Sequence, residues 1–158
     1  MPEWFELYIG PESAATRLRT YESELIPGLL QTAAYTTEVF RASDPDLPAA
    51  DIERGVAVRL GRQALLTRRL PKAPPLEIIL HGNILAGGPF TILEFASTGR
   101  TAEPSIVYSE GLTGALYLDK PKEVEAYDAV RHSIRSISLE EPASRALVLA
   151  LVKEHEQP

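Results

Sequence analysis

Apolar residues recur along this chain at two intervals. Leu29, Ala33, Thr36 and Phe40 return every three or four positions, and Ile52, Val56, Leu60 and Ala64 every four. That spacing keeps side chains on one face of a helix. In PESAATRLRTYES, Ala14, Leu18 and Tyr21 follow the same spacing, so helix is predicted there too. The second half changes period. LEIIL (76–80), FTILEF (90–95), SIVYS (105–109) and the ALYL run (115–118) are short and rich in β-branched or aromatic residues, as strands are. In FTILEF, Phe90, Ile92 and Glu94 share one face and Thr91, Leu93 and Phe95 the other, so a central strand is expected. The helical period returns in Val124, Tyr127, Val130, Ile134 and Ile137. These elements predict an α+β fold: N-terminal helices over 4–70, a small, mainly antiparallel sheet over 76–118, and two C-terminal helices over 120–155.

Punctuation refines the layout. Pro27-Gly28 breaks the first helical region, because proline fixes φ and glycine permits positive φ. SDPDLP is a loop of turn formers, with Pro48 opening the next helix. Gly55 and Gly61 each cost a helix interior about 1 kcal/mol relative to alanine and are candidates for close approach to another element. PKAPP ends that helix. SLEE reads as a capping box, with Ser138 as N-cap and Glu141 three residues on. Val148 to Val152 is apolar nearly all round, which predicts burial on both sides or a contact with a second copy.

Composition narrows the function classes. The 158 residues suit one domain spanning 1–158, and the 44% hydrophobic content is ordinary for a globular chain. There is no cysteine, so disulfides and thiolate chemistry are excluded and a reducing, cytoplasmic setting fits. The net charge of −6 argues against this chain gripping nucleic acid by itself, since phosphate contact needs a basic face. No apolar run approaches the roughly 20 residues of a membrane span, and MPEWFELYIG lacks the features of a signal peptide.

Candidate chemistry is sparse. His81, His132 and His155 are scattered, so no metal site is expected, and no nucleotide-binding glycine motif is present. No cofactor is implied. Asp128, His132 and Ser136 are each four apart and would share a helix face, which permits a small hydrolase reading. A triad, however, also needs an oxyanion hole and a pocket, and its members usually come from different elements. Arg59, Arg62, Arg68 and Arg69 form a basic stretch, read either as a solvated face or as an anion site, with Glu94 and Glu110 as candidate internal partners. The run PGLLQT (27–32) has two readings. In one, Pro27-Gly28 sets the angle between two helices while Gln31 or Thr32 satisfies backbone groups freed by the break. In the other, the turn forms the mouth of a ligand pocket beside Tyr35 and Arg62.

Three segments carry a family resemblance: LRTYESELIPGLLQTAAY, RLGRQALLTRR, and GGPFTILEF with the following VYSEGLTGALYLD. Together they resemble the domain of unknown function (DUF5753-like) that follows the helix-turn-helix in XRE-type, antitoxin-like transcriptional regulators of actinobacteria. The resemblance runs from Trp4 to about Val152. It implies a C-terminal effector- or partner-binding and dimerisation domain without catalysis. DNA contact would belong to an N-terminal module, and the partner would be a small protein encoded beside the regulator, a small-molecule effector or a second copy of the chain. A purely structural dimerisation module is the remaining alternative. The residues expected at the binding site are Pro27, Gly28, Gln31, Thr32, Tyr35, Arg59, Arg62, Gln63, Glu94, Tyr108 and Glu110. Two departures from the family stand out. Met1 lies only a few residues before the domain, as expected of a truncated, solitary or degraded relative. The middle is also short: Ala86 runs straight into Gly87, where the family has a helix and one more strand, which implies either a genuine deletion or a segment missing between 86 and 87.

Overall fold

A computed structural model describes residues 3–82, 88–98, 101–111 and 113–156. The Ala86–Gly87 junction lies outside these. The chain opens with α1 (Glu3–Ala14) and enters β1 (Arg17–Glu22). A 3₁₀ turn (Gly28–Leu30), α2 (Ala33–Ser43), α3 (Ala49–Arg62) and the single helical turn α4 (Ala64–Thr67) lead to β2 (Leu76–Leu80). Then follow β3 (Phe90–Glu94), a small ribbon of β4 (Ser97–Thr98) and β5 (Thr101–Ala102), β6 (Ile106–Gly111) and β7 (Gly114–Leu118). Helices α5 (Pro121–Ile137) and α6 (Glu141–His155) complete the α+β fold.

The main sheet has the order β2-β1-β3-β6-β7. β1 and β2 run parallel, with Leu18 beside Leu76. The other neighbours are antiparallel, with Leu18 beside Leu93 across β1 and β3. β3 is central, and both its faces are apolar, as its sequence predicts.

The two faces of the sheet hold two cores. On one, Leu18, Leu93 and Tyr108 pack with Tyr8 and Ala15 from the α1 segment and with Leu29 and Leu65 from the β1–β2 connection. On the other, Tyr21, Ile79, Phe90, Ile92 and Val107 pack under Ile134 of α5. The predicted stripe of α5 makes this contact through Val124, Tyr127, Val130 and Ile134, while Ile137 is exposed. Tyr127 meets Phe90 edge-on at 4.9 Å between ring centroids. Full burial of each such side chain is worth about 1.5–3 kcal/mol.

The structure overturns the helical reading of Leu18 and Tyr21, which belong to β1. Its alternation was masked by charge. Arg19 shares a face with Tyr21 and is 89% buried, since its side chain is only 11% exposed. It is held by Glu94 at 2.6 Å and by Asp128 of α5. Arg131, equally buried, joins Asp128 at 3.0 Å and Glu77 of β2 at 2.7 Å. Burial works against ionising Asp128 and Glu77, but the arginines around each outweigh it and hold both carboxyls below the usual range. An interior strand can therefore carry arginine when each charge meets its opposite.

Other boundaries also differ from expectation. The second helix starts at Ala33, not Leu29, because Pro27 to Leu30 makes its own tight turn. The third stops at Arg62, with Gln63 as its C-cap. The SLEE capping box does not form: Ser138 caps the end of α5, its hydroxyl donating to the Ile134 carbonyl at 2.8 Å, and Glu140 stands at the start of α6. No described residue of α6 is buried. Leu147, Val148, Leu149, Leu151 and Val152 are all about half exposed, so burial on both sides within the chain is not what α6 does.

Of the two glycines in α3, only Gly55 marks a close approach. A Cβ there would lie 2.6 Å from Phe40 Cζ of α2, whereas one at Gly61 would meet nothing within 4 Å. Alanine gains about 1 kcal/mol of helix propensity at either site, but overpacking costs about 1–3 kcal/mol. Gly55→Ala is expected to lower the urea midpoint and Gly61→Ala to raise it. Equal shifts in the two variants would contradict the close approach.

Candidate functional site

Strand alternation fixes the floor of the site. Leu18, Thr20 and Glu22 of β1 project to one face, as do Thr91 of β3, Tyr108 and Glu110 of β6, and Leu76 of β2. The chain leaves β1 after Glu22, turns through Leu25 and Ile26 into Pro27, and returns over the same face as α2 and α3. Between this roof and the sheet lies a cavity of about 300 Å³. Phe5, Tyr8 and Glu12 of α1 close one side, and Arg59 and Arg62 of α3 the other.

Gln31 ties the roof together. Its amide donates to the Ile26 carbonyl at 2.6 Å, and its side-chain oxygen accepts from Arg59 at 2.8 Å and from the Thr36 hydroxyl at 3.3 Å. Its backbone carbonyl accepts from Gln63 Nε2 at 2.7 Å. Thr32 is the N-cap of α2, its hydroxyl accepting from the Tyr35 amide at 3.2 Å. Tyr35 in turn accepts the Ile26 amide at 3.3 Å. The polar pair after PGLL thus satisfies the backbone freed by the break, and one of its members also locks the turn to α3. The bracing role is seen directly, although the turn joins strand β1 to α2 rather than two helices, and the same turn borders the cavity. Gly28 faces the two arginines, and a Cβ there would sit 3.5 Å from Arg62 Nη1.

Arg62 forms a two-pronged bond with Glu12 at 2.6 and 2.7 Å, both side chains at least nine-tenths buried. It also lies over the rings of Phe5 and Tyr8, at 4.8 and 5.5 Å. Burial opposes its charge, but the Glu12 contacts prevail and raise its pKa. Arg59 sits 4.9 Å over the Phe40 ring, and its pKa is lowered by burial and then by Arg62. Tyr8 stacks on Tyr108 at 4.2 Å, and Tyr108 donates to Glu110 at 3.0 Å. Burial and the nearby Glu110 carboxylate raise the Tyr108 hydroxyl. Glu22 is pushed up to about 7 by burial, then by Glu110 and Glu24.

Seven of the expected site residues line the cavity: Pro27, Gly28, Gln31, Arg59, Arg62, Tyr108 and Glu110. Thr32 and Gln63 support it from behind. Tyr35 borders an adjoining hollow that shares Glu22, Leu25 and Ile26 with the first. Glu94 does not belong here. It lies on the opposite face, paired with Arg19, because β3 alternates and only Thr91 and Leu93 face the cavity side. The partner of Arg62 is Glu12. Sequence reasoning missed Glu12, Thr20 and Glu22, and the signal for the last two was the alternation of β1.

The three residues of the hydrolase reading are not joined. Asp128 is taken by Arg19 and Arg131. Ser136 donates to the Ser133 carbonyl at 2.7 Å. His132 is exposed, and no hydrogen bond links it to either among the described residues.

The raised Glu22 pKa has a stability consequence with a definite sign. An acid whose folded pKa exceeds its unfolded value, about 4.3, contributes fully below that value and loses the contribution as pH rises through about 7. Glu22→Gln removes this loss. Glu24, Glu110, Arg59 and His81 surround the position in both proteins. The melting temperature of wild type relative to Glu22→Gln is therefore expected to fall between pH 5 and pH 8, and a constant difference would refute the raised pKa.

No curated protein and no solved structure matches the chain. A family model described as "Domain of unknown function (DUF5753)" matches residues 5–87 and 81–150. The two matched stretches overlap at 81–87. Between them they include every residue that builds the cavity. The chain belongs to the DUF5753 family.

Proposed function

We propose that this chain is the effector-binding and dimerisation domain of a helix-turn-helix transcriptional regulator of the XRE type known from actinobacteria, acting in the cytoplasm. The observation that carries the effector role is the cavity between the Gln31-braced turn, α3 and the sheet, with its apolar walls and convergent polar groups. A purely structural module has no use for such a chamber. The net charge of −6 leaves DNA contact to a separate basic module. An effector regulates such a protein by binding two of its states unequally. The half-exposed apolar surface of α6 supports self-association, or docking of a small partner protein, through that helix.

Both roles are testable on the purified chain. Gly28→Phe puts a ring against Arg59 and Arg62 and fills the cavity. Compounds from a cytoplasmic metabolite fraction are expected to raise the melting temperature of wild type, as ligands of the native state must, and to leave Gly28→Phe unmoved at an unchanged circular dichroism spectrum. Equal responses would remove the cavity from the reading. In sedimentation equilibrium the wild type is expected to be a dimer and the Leu147→Glu/Leu151→Glu variant a monomer. A monomeric wild type would count against self-association.

A further inference from the structure

Helix α6, 15 residues long, takes no part in either core. A helix of that length is marginal in water by itself, and one this apolar belongs against another surface. Its apolar stripe is symmetric. Ser144, Leu147, Val148, Leu151, Val152 and His155 follow one another in steps of three, one, three, one and three. They share one side of the helix, and the spacing is the same in both directions. The residue types are mirrored as well, with four half-exposed apolar side chains between two polar ends. Leu149 lies off this stripe.

We infer that α6 pairs antiparallel with α6 of a second copy, about a two-fold axis at the level of the Leu149–Ala150 peptide. The inference rests on the dimerisation reading and adds the seam and its direction. The axis sets Leu147 opposite Val152 of the partner subunit, and Val148 opposite Leu151 of the partner subunit. Every leucine then meets a valine, the large-on-small match that lets facing side chains interdigitate. A parallel pair would set leucine on leucine and valine on valine. Charge favours the same direction. Glu140 and Glu141 open the helix, and Lys153 and His155 lie in its last turn. Antiparallel pairing brings the Glu141 carboxylate and the Ser144 hydroxyl to the partner's His155, whose ring N–H either can accept. The Ser144 hydroxyl already donates to the Leu139 carbonyl at 3.2 Å, which leaves its oxygen to act as acceptor. Arg145 falls level with the partner's Glu154, opposite in charge. Parallel pairing would instead set Glu140 and Glu141 against their own copies. Antiparallel helices also place unlike dipole ends side by side.

The chain has no cysteine, so introduced cysteines report the direction. Ser144→Cys and His155→Cys, neither at a buried position, are oxidised separately and as an equal mixture of the two full-length chains. A disulfide needs Cα atoms within about 7 Å. In the antiparallel pair, position 144 faces position 155 of the second copy, while each lies about 16 Å along the helix from its own counterpart. The mixture is expected to give the mixed disulfide dimer as its main product, identified by mass. Each variant alone is expected to stay unlinked, with a circular dichroism spectrum unchanged from wild type. Self-linking of either variant alone to the extent seen in the mixture overturns the antiparallel direction and leaves self-association through α6 in place. If no sample links while the wild type sediments as a dimer, the seam lies elsewhere and the inference is overturned. A monomeric wild type removes the inference and the dimerisation reading together.

Discussion

The parallel pairing of β1 with β2 is the constraint from which the rest of this structure follows. Parallel neighbours cannot be joined by a hairpin, because the chain must return to the starting edge of the sheet before it can pair. Here the return carries the Pro27–Leu30 turn, α2, α3 and α4 over one face. A sheet with only antiparallel neighbours would need no such cover. The roof, the chamber beneath it and the arginines along its wall all follow from that topological demand. The chamber opens where the chain leaves the carboxyl end of β1, the position at which open α/β sheets commonly hold ligands.

A crossover is only as rigid as its fastenings. The turn at Pro27-Gly28 is too short to build a core of its own and is held by the Gln31 contacts. Arg62 and Glu12 fasten α3 to α1 across the cavity. A two-pronged pair of this kind fixes orientation as well as distance, which matters more for a chamber than for a packed interior. Buried ions bring little net stability when the cost of dehydrating them is counted. What they contribute here is a defined gap between helix and sheet that apolar side chains alone would tend to close.

Much of this was legible in the sequence. The four strands from Leu76 to Leu118 and the inward stripe of α5 announce themselves by period, and the PGLLQT and Arg-Gln runs marked the two elements that meet. The failures at the candidate site share one cause. Arg17-Leu-Arg-Thr-Tyr-Glu22 reads poorly as an interior strand because charge occupies it, and the carboxylates that neutralise Arg19 come from β3 and α5, distant in sequence. Missing that strand hid Glu22 and Thr20, and it left Glu94 with the wrong arginines. Glu12 was invisible for a similar reason: nothing local connects it to a residue fifty positions on. Local pattern reports burial and period, whereas ion pairing across a fold is settled by topology.

One strand has a role on both sides of the sheet. Thr20 and Glu22 face the chamber, while Arg19 and Tyr21, the alternate residues, anchor to α5 through Asp128 and the second core. A single layer of peptide separates the two environments. A rigid-body tilt of β1 that widened the chamber would therefore drag Arg19 against Asp128 and lever α5, the helix that runs directly into the bare apolar rod of α6. Chamber and outer helix thus hang from the same strand, like two pans from one beam.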